Sequence, residues 1–257
     1  MDNIIFYFTG TGNSLKVAKT ISKELDNAEI VSMNKLEKCN LSKQYGTIGF
    51  VYPVYYWGMP NIVRNFVEKL DLTNNRETYF YGVATFGGLA GNGISQLNDL
   101  LINRHNIKLN YGQKIKMFAN YIVAYNMSGK VKEITNKSDK KIVPVINAIK
   151  NKKDKRVKSK KIFDKIYNKY IDKLKSMDKD YIVSDNCTGC KICKNICPAK
   201  NIEIINGIPH FGHNCEQCVA CIQYCPQKAI NYKNLTQNRT RYTNPEISCK
   251  ELMERNK

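Results

Sequence analysis

Apolar residues fall along this chain in two alternating patterns. Unbroken runs at Asn3 to Phe8, Ala28 to Met33, Thr47 to Val54, Tyr79 to Thr85 and Met117 to Val123 read as strands buried on both faces. Between them lie stripes at helical spacing: Val17, Ala18, Ile21 and Leu25 in Ser14 to Leu25, then Ile62, Val63, Phe66, Val67 and Leu70. Two more follow, Ile94, Leu97 and Leu101, and Ile142, Val145, Ile146 and Ile149. Strands alternating with helices predict an α/β fold, a doubly wound parallel sheet covered on both sides. Lys155 to Met177 carries Ile162, Ile166, Tyr170 and Leu174 on one side and predicts a charged helix linking two domains. Beyond it the chain changes to cysteines, prolines and short turns.

That last part repeats itself. CTGCKICKNICPAKNI from residue 187 and CEQCVACIQYCPQKAI from residue 215 agree at all four Cys, the Pro, one Lys and the final Ile. Ten cysteines in a chain without a secretory start point to metal ligation rather than disulfides. A structural zinc site takes only four ligands, usually from paired CxxC or Cys/His elements. Two full runs of four with a trailing proline suit a cubane iron–sulfur cluster better, because short successive loops bring thiolates around its corners. In such runs the fourth cysteine ligates the other cluster. One cluster then takes Cys187, Cys190, Cys193 and Cys225, and the other takes Cys215, Cys218, Cys221 and Cys197. Pro198 and Pro226 turn the chain away. His210 and His213 fit no ligand position.

Between the first strand and first helix stands TGTGNS, residues 9 to 14. Amides at a helix N-terminus attract anions, and the hydroxyls of Thr9, Thr11 and Ser14 add donors. A dinucleotide fingerprint would need glycine where Leu15 stands and an acidic residue ending the second strand; a Walker A loop would need Lys where Asn13 stands. A monophosphate bound without metal remains. Two more loops leave strand ends: YPVYYWGMP (52 to 60), with Tyr55, Tyr56 and the only tryptophan, Trp57, and TFGGLAGNG (85 to 93). Aromatics there suit a planar ring, and glycines let backbone approach it.

In these three loops residues 1 to 150 resemble the flavodoxins. The stretch from Tyr181 to Tyr232 resembles the bacterial ferredoxins with two [4Fe-4S] clusters, and the whole chain resembles the flavodoxin–ferredoxin fusion proteins of anaerobes. The resemblance implies a flavodoxin-like sheet of strand order 2-1-3-4-5, followed by a small α+β bacterial-type ferredoxin domain. It divides the chain into an FMN-binding domain (1–150), a basic linker helix (151–180), a ferredoxin domain (181–235) and a C-terminal tail (236–257). FMN would meet Thr9, Gly10, Thr11, Gly12, Asn13 and Ser14 through its phosphate. Its ring would meet Pro53, Val54, Tyr55, Tyr56, Trp57, Gly58, Thr85, Phe86, Gly87 and Gly88. The function implied is electron transfer between two [4Fe-4S] clusters and FMN, with a ferredoxin or a reductase as redox partner. The alternative is an FMN and iron–sulfur dependent oxidoreductase acting on a small-molecule acceptor such as a quinone or nitro compound. The segment Asn120 to Lys130 would then cap the flavin, or else simply return the chain to the next helix. A homodimer fits either reading.

Charge and length narrow this further. The 257 residues carry a net charge of +19, whereas flavodoxins are typically acidic. Residues 130 to 180 hold 18 basic against 7 acidic side chains. No aromatics alternate with those charges as a single-strand binder requires, so a solvated basic face is expected and a nucleic-acid role is not. No apolar run approaches the roughly 18 residues of a membrane span. The start MDNIIFYFTG has neither the basic region nor the cleavage site of a signal peptide, and a cytoplasmic protein is expected. Cys39 and Cys249 stand apart as free thiols.

Overall fold

The computed structural model describes residues 1–35, 40–127, 129–159 and 161–256. Cys39 lies outside the described residues. The chain divides into two compact units. The first holds Met1–Thr9, Asn13–Phe118 and Lys130–Asn168; the second holds Gly10–Gly12, Ala119–Gly129 and Lys169–Lys257.

The first unit is built on β1 (Asn3–Tyr7), α1 (Asn13–Glu24), β2 (Glu29–Ser32), β3 (Thr47–Pro53), α2 (Asn61–Lys69), β4 (Tyr79–Phe86), α3 (Gly93–His105), β5 (Tyr111–Lys116), α4 (Val131–Lys150) and α5 (Lys161–Tyr170). Its five strands pair in parallel in the order β2-β1-β3-β4-β5, as the sequence predicts. Strand order reverses after β2, so right-handed crossovers place α1 on one face of the sheet and α2 and α3 on the other. Accordingly α1 packs beside α4, and α2 beside α3. Ile4, Ile5, Phe6, Phe50, Val51 and Val83 are fully buried in the central strands, which explains their unbroken apolar runs.

Gly49 and Tyr81 are register partners in β3 and β4. A Cβ on residue 49 would lie 2.2 Å from the Tyr81 ring. Gly49→Ala is therefore expected to cost about 1–3 kcal/mol or more, the usual penalty for overpacking a core. Urea denaturation compared with the parent chain measures it.

Two expectations are corrected. The fifth strand is Tyr111–Lys116, not Met117 to Val123. YGQKIK is an edge strand with only Tyr111 and Ile115 buried, so it lacks the apolar run by which strands were recognised. The linking helix is shorter than Lys155 to Met177: α5 spans Lys161–Tyr170, and Ile171–Asp180 continues as a 3-10 helix. From Lys150 to Lys158, six basic residues face a single acid, and like charges at i,i+4 disfavour helix. That stretch instead runs along β5, with Lys155 donating its N–H to the Asn110 carbonyl.

The second unit contains β6 (Tyr181–Val183), α6 (Ile192–Ile196), β7 (Ile202–Ile205), β8 (Ile208–Phe211), α7 (Ala220–Gln223), β9 (Ile230–Tyr232) and α8 (Cys249–Asn256). It is a small α+β arrangement in which β6 pairs antiparallel with β9, and β7 with β8. The β7–β8 hairpin turns on Asn206 and Gly207, both with positive φ, the preferred Asn-Gly chemistry of a tight hairpin. Tyr181 packs edge-on against Phe211 and Tyr232. Among the described residues no helix is long and apolar enough to cross a membrane.

Candidate functional site

Within the first unit, β1, β3 and β4 deliver their following loops to the same edge of the sheet, where a doubly wound fold binds ligands. Thr85, at the end of β4, ties two of them together. Its Oγ1 shares a 2.8 Å hydrogen bond with Ser14 Oγ at the start of α1, and its carbonyl accepts the Val54 N–H at 2.8 Å. Asn13 Nδ2 donates to the Phe118 carbonyl at 3.3 Å. Ser14 and Thr85 are buried, so their hydroxyls are ordered before any ligand arrives.

Tyr55 to Gly58 forms a tight turn, closed by reciprocal hydrogen bonds between Tyr55 and Gly58 of 3.0 and 2.9 Å. Its two central residues, Tyr56 and Trp57, have φ of 46° and 65°. Such a turn normally takes Asn and Gly, and holding two aromatics left-handed costs about 1–3 kcal/mol each. The neighbours enforce it. Asn92 donates its N–H to the Trp57 carbonyl at 2.7 Å, and a Cβ on Gly91 would strike that carbonyl at 2.0 Å. Below the turn, the Tyr167 hydroxyl of α5 donates to the Met59 carbonyl at 2.6 Å, and Asp164 accepts from Asn92 and Gln96. The backbone of Gly58 passes so close to the Tyr167 ring that a Cβ would lie at 2.1 Å. Pro53 to Trp57 and Phe86 to Gly87 are half-buried, and Gly88 is exposed.

In the second unit, Gly10–Gly12 lies against the C-terminal tail. Asn244 donates its N–H to the Thr11 carbonyl at 2.8 Å, and Asn120 Nδ2 donates to Thr11 Oγ1. Gly12 has φ +97°, and a Cβ there would meet Asn244 and Ile247 at 2.9 Å. The tail also holds the 119–129 segment: Arg239 Nη1 donates to the carbonyls of Ile122 and Val123 at 2.6 and 3.0 Å. Gln223 Nε2 in α7 donates to the Asn120 carbonyl at 2.7 Å.

The two cysteine runs fold alike. Gly189 and Gln217, Lys191 and Val219, and Lys200 and Lys228 occupy equivalent places in the repeats, and all six have positive φ. Left-handed residues among right-handed ones turn successive N–H groups to one side, making a nest for anions. Asn201 and Ala229, again equivalent, donate their N–H to Cys197 Sγ and Cys225 Sγ at 3.4 and 3.2 Å. Gln217 donates its N–H to Cys215 Sγ at 3.3 Å.

Cys187, Cys190, Cys193 and Cys225 line one small cavity, whose walls also include Ile204, Pro209 and Ile230. Burial pushes the Cys193 thiol up to about 11, and Cys190, Cys187 and Cys225 add to the rise. Burial likewise carries Cys215 up to about 12, with Asp178 and Cys197 reinforcing it. Cys218 and Cys221 are raised first by burial and then by the sulfurs around them, Cys197 included. Burial thus makes ionisation of Cys193, Cys215, Cys218 and Cys221 costly unless a cation offsets it. Among the described residues no group of three or more His, Cys, Asp or Glu converges closely enough to hold a single metal ion.

Two residues here carry no signal in the sequence. Asp178 is fully buried and accepts from Asn201 Nδ2 at 2.7 Å, from the His213 N–H at 3.1 Å, and pairs with His213 Nδ1 at 2.9 Å. It fixes the loop after β8 that leads into Cys215. Arg241, in the tail, reaches β9. An Asp before a strand and an Arg in a polar tail look like any surface charge until the fold closes over them.

Residues 4–90 match the flavodoxin domain family. A comparison with curated proteins found no match. Among solved structures, this chain is similar to a Fusobacterium nucleatum flavodoxin bound to flavin mononucleotide at 18% identity. The likeness covers 59% of this chain and 98% of that one, with a TM-score of 0.37. The Trp repressor binding protein of Bacillus subtilis is similar at 15% identity over 58% of this chain and 96% of that one, TM-score 0.40. A flavodoxin from the domain Archaea is similar at 13% identity over 57% and 99%, TM-score 0.38.

Proposed function

We propose that the chain is an electron-transfer protein that binds FMN on its flavodoxin-like sheet and two [4Fe-4S] clusters in its cysteine-rich unit. A flavin exchanges one or two electrons and a cubane exchanges one at a time, so a chain holding both matches single-electron to two-electron chemistry with a redox partner. The observation that carries the reading is the cavity lined by Cys187, Cys190, Cys193 and Cys225, three thiols of one run with the last of the other. A mononuclear zinc site would draw four sulfurs to one point, whereas a cubane needs them spread around a core. Nests and N–H donors at the sulfurs supply the hydrogen bonds that stabilise an anionic cluster.

For the flavin, the α1 N-terminus with Thr9, Thr11 and Ser14 would take the phosphate. The strained Tyr56–Trp57 turn and the Thr85–Gly88 backbone would flank the ring, and strain held in place by neighbours is typical of ligand clamps. Because the loop suits a monophosphate, FMN is expected to bind and FAD is not. Ser14→Ala and Thr11→Ala are each expected to weaken FMN binding by about 1–3 kcal/mol, as for hydrogen bonds to a charged group. Fluorescence titration of the flavin-free chain measures this. Unchanged affinity in both variants would place the phosphate elsewhere.

A further inference from the structure

Among the described residues no carboxylate pairs with the charge of Arg241. Its Nη2 donates to the Ile230 carbonyl at 3.3 Å and to Asn231 Oδ1 at 2.8 Å. Nε and Nη1 are shut off from solvent and, among the described residues, have no hydrogen-bond partner. Burying a guanidinium with idle donors is costly, and such a group in a native fold calls for an explanation.

Its surroundings supply one. Ile230, whose carbonyl it holds, is a wall of the cavity that Cys187, Cys190, Cys193 and Cys225 line. Ala229, one residue earlier, donates its N–H to Cys225 Sγ. Burial disfavours the charged guanidinium, and the sulfurs that favour it are those of Cys225 and then Cys221, one from each fourfold group. Arg241 is not itself among the residues that line that cavity; it reaches the wall through the Ile230 carbonyl.

We propose that Arg241 sets the reduction potential of the clusters, chiefly the one held by Cys187, Cys190, Cys193 and Cys225, by keeping a fixed positive charge and free N–H donors beside their sulfurs. The proposal rests on the reading of these cysteines as cluster ligands. Reduction adds one electron to a core already surrounded by four thiolates, and no bond is made or broken. A cation fixed nearby, where the dielectric is low, stabilises the reduced form more than the oxidised one. N–H donors to the sulfurs act in the same direction. Arg241 therefore raises the potential, and it does so from the C-terminal tail rather than from either cysteine run.

The test uses the full-length chain, prepared anaerobically, with Arg241→Gln, Arg241→Met and Arg241→Lys beside the parent. Iron and acid-labile sulfide are assayed, and midpoint potentials are read by EPR during titration with a titanium(III) reductant. The two neutral variants are expected to keep their iron and shift one cluster to more negative potential, with Arg241→Lys in between. Iron-replete neutral variants with unchanged potentials would overturn the proposal alone, leaving the cluster reading intact. If the neutral variants lose iron while Arg241→Lys retains both iron and potential, the charge is what matters and the proposal stands. Equal iron loss in all three would assign Arg241 to packing and overturn it. A parent chain without sulfide would overturn the cluster reading itself.

Discussion

Cys197→Ala is expected to remove about half of the iron, from about eight to about four per chain, and to remove it from the group formed by the second run. The sulfur of Cys197 acts on Cys215, Cys218 and Cys221, whereas Cys225 shares a cavity with Cys187, Cys190 and Cys193. On the proposed ligation each run completes the other. Pairs of substitutions separate this from ligation within a run. Cys197→Ala combined with Cys215→Ser is expected to lose no more iron than either alone, because both damage one cluster. Cys197→Ala combined with Cys187→Ser is expected to lose nearly all of it. Such non-additivity is the signature of residues that act as one unit. The reverse pattern, with Cys197 and Cys187 falling in one group, would mean that each run encloses its own cluster.

Electron transfer between clusters and flavin is expected to occur within one chain. Covalent linkage gives the second site an effective concentration near the millimolar range for a short tether. At micromolar protein that favours the internal route by roughly a thousandfold over encounter between molecules. Rapid mixing of the loaded chain with a one-electron donor, following the flavin band, gives a rate that does not change as protein is diluted tenfold. A rate that falls in proportion to concentration would mean that electrons pass between molecules, as a domain-swapped dimer or a purely bimolecular carrier would require.

The sheet was legible because its central strands are buried on both faces, and Ile4 to Phe6, Phe50 to Val51 and Tyr81 to Ala84 admit little else. β5 was not, because an edge strand needs apolar residues on one side only and YGQKIK supplies two. The apolar run MFANYIV matches a strand pattern more closely than β5 does. Its residues from Ala119 onward belong to the second unit, where Arg239 and Gln223 hold their carbonyls.

The candidate loops were visible as small or aromatic residues at strand ends, since a sharp exit from a strand leaves a local mark in composition. The groups that organise them were not. Thr85 joins Ser14 and Val54 across more than 30 positions of sequence, and nothing local to any of the three marks the meeting. Arg241 is harder still. Its significance lies in two buried nitrogens that, among the described residues, have no hydrogen-bond partner, a property of the closed fold and of no stretch of chain.

The pairing of a flavin with two clusters in one chain is the central claim, and cofactor stoichiometry tests it most directly. Protein purified without oxygen, or reconstituted with iron, sulfide and FMN and then desalted, is to be assayed for all three together with zinc. The expected result is about one FMN, eight irons and eight acid-labile sulfides per chain, with zinc absent. Two zincs with no sulfide, or a chain that retains no flavin, would contradict it.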